Sequence, residues 1–169
     1  ALSLHAEHQT EEALRLTQQG LSKNPFDTRL LLLASQLSYE LHDERKAEDY
    51  LLKAKDNAED LEEIALRLSN LYLEQERFDE VLKFEEQDID NVLTKWNIAR
   101  AYQALEQTTA ALERYRLLLS DLKENPEFLE QYIYLLREMG DFEEAKHQAE
   151  HYLHLVPDDV EMQELYNSL

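Results

Sequence analysis

One small or β-branched residue returns along this chain at a nearly fixed interval. Ala13, Ala47, Val81, Ala111 and Ala145 are separated by 34, 34, 30 and 34 residues. A period of this length, on a sequence rich in helix formers, predicts stacked helical repeats. The clearest copy is Gly140–Asp159. There a Gly-Asp-Phe turn opens a helix, Ala145, Ala149 and Tyr152 fall four and three residues apart on one face, and Pro157 ends it. The five recurring residues are termed pivots below. They are expected where the two helices of each hairpin cross.

Composition fits this reading and narrows the function. Two glycines, three prolines and 43% hydrophobic residues in 169 suit a nearly all-helical chain that buries a continuous core. The net charge of −20 repels phosphate backbones and anionic lipid headgroups, which argues against nucleic-acid and membrane-surface binding. There is no cysteine, hence no disulfide framework and no thiolate zinc site, in keeping with an expected cytoplasmic location. The longest apolar run, Leu30–Ala34, is too short to span a bilayer. No nucleophile motif, phosphate loop or zinc-protease signature is present, so neither an enzyme nor a cofactor is expected.

The expected class is all-α: a right-handed α-α superhelix of antiparallel helix hairpins forming one solenoid. The repeats fall at about 1–27 (partial), 28–61, 62–91, 92–125, 126–159 and 160–169 (partial). Such half-repeats at both ends point to a fragment of a longer repeat protein. Residues 1–5 read as the tail of one helix and Thr10 as the cap of the next, with Ala13, Leu14, Leu16, Thr17, Gly20 and Leu21 on its inner face. Ser35 lies twelve residues before its pivot, where paired helices must approach closely. In the third hairpin, Glu85 and Asp88 replace apolar or small residues and four residues are missing, so the second helix should end early, near Asp88. Thr108 is read as a cap, Asn125-Pro126 as a helix start, and Asp158 or Asp159 as the cap of a last helix.

With the period in place, Ala99, Tyr102, Ala111 and Tyr115 in one repeat and Gly140, Ala145 and Pro157 in another resemble the tetratricopeptide repeat (TPR) family. The resemblance covers essentially the whole chain. It implies a scaffold or peptide receptor whose concave groove is lined by the first helix of each hairpin, at positions about 15, 14, 11 and 8 before the pivot. On that rule the groove residues are Gln36, Tyr39, Arg67, Asn70, Trp96, Asn97, Arg100, Gln103, Tyr134 and Arg137, with Leu32, Leu33, Leu66, Leu73, Glu130 and Gln131 beside them. Family members that clamp a chaperone's terminal carboxylate pair Lys with Asn; here Leu66 and Glu127 stand at the Lys places, so an internal segment fits better.

Arginine forks, aromatic faces and amides on one side of an acidic chain suit an extended, acid-containing peptide of a protein partner. The arginines can equally pair with Glu63, Glu74, Glu130 or Glu138 and balance surface charge. Two other readings stand beside the scaffold. One is a self-associating or structural repeat without a peptide ligand, forming a homo-oligomer through Leu165, Tyr166 and Leu169 of the C-terminal helix. The other is a subunit of an enzyme complex. A candidate metal stripe, His147, His151 and His154, lies at i, i+4 and i+7 on one helix, opposite its buried face.

Overall fold

The computed structural model describes residues 2–169, with side chains from Ala6 onward. Among these residues there are helices and connecting turns and no strand. The chain divides into two compact units, Ala1–Thr94 and Lys95–Leu169, with the boundary inside the first turn of a helix.

The first unit contains α1 (Leu2–Lys23), α2 (Thr28–Glu40), α3 (Glu44–Lys55), α4 (Glu62–Glu74) and α5 (Phe78–Leu82), which tightens into a 3₁₀ turn over Lys83–Glu86. Neighbours in sequence pack on one another from α1 to α5. Asp27 and Asp43 start α2 and α3 by accepting hydrogen bonds from the N–H groups of Leu30 and Lys46. Where α2 crosses α3, the Ser35 hydroxyl donates to the carbonyl of the pivot Ala47 at 2.9 Å. The close approach expected there is made with a buried hydrogen bond.

The first helix departs from expectation. Thr10 caps nothing: α1 is continuous from Leu2, and the Thr10 hydroxyl donates back to the Ala6 carbonyl at 3.1 Å inside the helix. No Gly, Pro or Asn lies between Leu2 and Gly20 to interrupt it, and a Thr in a helix satisfies its hydroxyl this way. Ala13 is half-buried and Leu16 is 54% exposed, although both were placed on the inner face. The other four pivots are at most 1% exposed.

The third hairpin ends as its sequence implied. Helical geometry is lost after Glu86, Glu85 and Asp88 are exposed, and Phe84 and Ile89 are the buried residues flanking the break. The Glu62 carboxylate at the start of α4 accepts the N–H groups of Asp90 and Asn91 at 2.8 and 2.7 Å, tying down the connection. Asn91 Oδ1 in turn accepts from Leu93 and Thr94, starting α6 (Val92–Ala104).

The second unit holds the rest of α6, α7 (Thr108–Leu122), α8 (Pro126–Glu138), α9 (Phe142–Leu155) and α10 (Val160–Ser168). Thr108 is the first helical residue, not the cap; Gln107 takes that place without a side-chain bond. Asn125, Asp141 and Asp159 do cap their helices, and Pro126 occupies the first turn of α8. An aromatic cluster forms the core. Phe128 meets Trp96 edge-on at 5.8 Å and Tyr115 at 5.3 Å, and Tyr115 stacks on Tyr132 at 6.0 Å. In α10, Met162 and Leu165 are buried while Val160 is exposed.

Candidate functional site

Four of the ten predicted groove residues gather in one place. In the first unit α2, α3 and α4 enclose a cleft of about 280 Å³ lined by Ser35, Gln36, Tyr39, Ala47, Leu51, Arg67, Asn70, Leu71 and Glu74. Its floor, Ala47, Leu51 and Leu71, is the buried crossing of the hairpin, and polar side chains from α2 and α4 form its walls.

Two contacts tie the walls together, each joining residues 35 apart in sequence. Arg67 Nη1 donates to the Leu32 carbonyl at 3.3 Å, and the Tyr39 hydroxyl donates to Glu74 at 2.6 Å. The phenol is held above its usual pKa, first by that hydrogen bond, then by burial and by the carboxylate charges of Glu74 and Glu44. Arg67 Nη2 also pairs with Glu63 at 2.6 Å, one turn back on α4, with the Glu63 side chain 59% exposed. An exposed pair of this kind is worth a few tenths of a kcal/mol, so a ligand carboxylate can displace Glu63. Gln36 donates to Glu40 at 3.1 Å from an exposed position. Glu74, Leu51 and Leu71 were not among the predicted site residues. Glu74 could have been found from its place 35 residues after Tyr39.

The second unit treats its predicted residues differently. Trp96 and Asn97 are 6% and 3% exposed and belong to the core. The indole N–H donates to Gln131 Oε1 at 3.1 Å, and the Arg100 guanidinium lies 5.6 Å from the indole centroid. The Tyr115 hydroxyl is 2.9 Å from the same Gln131 oxygen and 3.1 Å from Gln103 Oε1, and burial pushes its pKa up to about 12. Gln131, Gln103 and Trp96 are thereby drawn into a partly buried network. Spacing placed Trp96 on the groove side but could not reveal that Phe128 covers the ring. Tyr134, 39% exposed, and Arg137 remain at the surface.

The three histidines of the candidate metal stripe differ in their surroundings. Among the described residues no group of three His, Asp or Glu side chains converges to hold an ion. His151 is half-buried and turned toward α7, with Nε2 2.9 Å from the Lys123 carbonyl and 3.7 Å from Glu124, whereas His147 and His154 are exposed. A carbonyl partner requires Nε2 to carry a proton, which removes that nitrogen as a ligand. No described helix is long and apolar enough to cross a membrane.

Residues 93–159 match the family model of YpiA-like, C-terminal tetratricopeptide repeats. Among solved structures the chain is similar to YrrB, described as a TPR protein with an unusual peptide-binding site. The identity is 11% and the TM-score 0.74, covering 97% of this chain and 87% of that one. It is similar to a double mutant of MamA RS-1 at 15% identity and TM-score 0.77, covering 95% and 96%. It also resembles TTC0263, a thermophilic TPR protein of Thermus thermophilus, at 20% identity and TM-score 0.61, covering 99% and 93%. None of the curated proteins matches the sequence. At these identities the structures establish the fold alone: the chain is folded as TPR proteins are, and residues 93–159 are the part that matches a tetratricopeptide-repeat model.

Proposed function

We propose that this chain is a non-catalytic protein-interaction scaffold that holds an extended, acid-containing segment of a partner in the α2–α3–α4 cleft. One observation carries the reading. Gln36, Tyr39, Arg67 and Asn70, placed on the groove side by repeat spacing, line a single cleft with an apolar floor. Asn70 and Gln36 present amides suited to a peptide backbone, and Arg67 offers a fork for a carboxylate. The family is generally one of scaffolds, and YrrB, of the same fold, is described as having a peptide-binding site.

The test is selection of a displayed library of random twelve-residue peptides on the immobilised chain and on an Arg67→Ala/Asn70→Ala variant. Peptides carrying a carboxylate should be enriched on the parent and lost on the variant, while both proteins melt within a few degrees of each other. Equal enrichment on both would show that the cleft is not the binding site.

A further inference from the structure

We propose that the cleft reads a segment bearing one acidic and one basic side chain about three residues apart, the acid against Arg67 and the base against Glu74. This rests on the peptide-binding reading above and adds the second charge and its spacing.

The spacing follows from the helix. Arg67 and Glu74 are seven residues apart on α4 and both line the cleft, so they stand about two turns, or roughly 10 Å, apart along its wall. A segment in the extended polyproline II conformation rises about 3.1 Å per residue with about three residues per turn, so side chains three residues apart share a face and stand about 9 Å apart, which matches both positions. Asn70 lies between them on α4 and Gln36 lies on the facing wall, where they can hold the intervening peptide groups. Beneath, Leu51 and Leu71 give apolar contact for what lies between the charges.

The need for a cation follows from the surroundings of Glu74. It is the last residue of α4, at the carbonyl end of the helix, where a negative charge is disfavoured and a positive one favoured. Its partner is the Tyr39 hydroxyl, a neutral donor that fixes the carboxylate without balancing its charge. Among the described residues no Lys or Arg pairs with Glu74, whereas Arg67 already has the exposed Glu63. The cleft thus offers an anchored but unbalanced anion at one end and a guanidinium with a displaceable partner at the other. The net charge of −20 favours approach of the basic end.

Four pools of displayed twelve-residue peptides test this on the full chain. One pool fixes Glu and Lys three apart, in both orders, with the other positions randomised. The companion pools replace Lys by Leu, Glu by Gln, or both. On the parent, the Glu/Lys pool should be retained about ten-fold more than the pool lacking Lys. Glu74→Gln keeps an acceptor for Tyr39 and should abolish the preference for Lys while leaving that for Glu. Arg67→Gln should do the reverse. Equal retention with and without Lys on the parent would overturn the paired-charge inference and leave peptide binding standing. Retention of all four pools at background would overturn both.

Discussion

At the scale of single residues, the hairpin turns share one geometry that the sequence writes with three different residue types. His42, Glu76, Glu106 and Gly140 each lie five residues before a pivot and each adopts positive φ, at 60°, 56°, 58° and 77°. In every case the following N–H returns to a carbonyl of the first helix, as with Asp43 to Ser38 and Gln107 to Tyr102. This is the left-handed residue that closes a helix, and glycine takes it without steric penalty. Replacing Glu106 by Gly should raise stability by about 0.5–1 kcal/mol, and Gly140→Ala should lower it by about 1 kcal/mol. No atom lies within 4 Å of the Cβ that Gly140 would gain, so the loss would reflect backbone strain alone. Denaturant titration of each variant checks both signs. Only Gly140 advertised this turn in the sequence. The other three were hidden, because His and Glu carry no local signal for positive φ.

At the scale of elements, α5 is the weak member. It spans five residues before its 3₁₀ turn, where α3, α7 and α9 span 12, 15 and 14. The missing four residues and the carboxylates Glu85 and Asp88 made this legible in advance. Amide exchange should therefore be fastest, among the internal helices, over residues 83–91. Glu62→Ala frees the N–H groups of Asp90 and Asn91 and should speed exchange there further, with residues near Ala47 unchanged as the control. Uniform protection across the internal helices would contradict this. The tie from Glu62 was not readable, since a helix-start glutamate looks the same whether it faces water or a backbone 28 residues away. The false start at Thr10 has a similar cause: a threonine that caps and one that bonds back within a helix have the same local sequence.

At the scale of the whole molecule, 37 acidic residues face 17 basic ones. Ion pairs such as Arg15–Glu12 and Lys46–Asp43 are largely exposed, so each contributes little and salt removes little by screening them. Repulsion among the excess carboxylates is the larger effect. The melting temperature should rise by a few degrees between about 10 and 150 mM NaCl. A fall would mean that attractive pairs, foremost the partly buried Arg77–Glu48, outweigh the repulsion. Periodicity made the hairpins and four lining residues of the cleft legible, because both depend on which face of a helix a residue occupies. It could not show which side chains a neighbouring aromatic ring would cover, as Phe128 covers Trp96. That covered ring is also the chain's single tryptophan, enclosed within residues 95–169 and fixed at its N–H by Gln131. The molecule therefore carries one indole, which can be excited apart from its nine tyrosines and then reports on its second unit alone, while circular dichroism records the helices of both. A melt followed by both signals can distinguish one cooperative unfolding event from two without attaching a label.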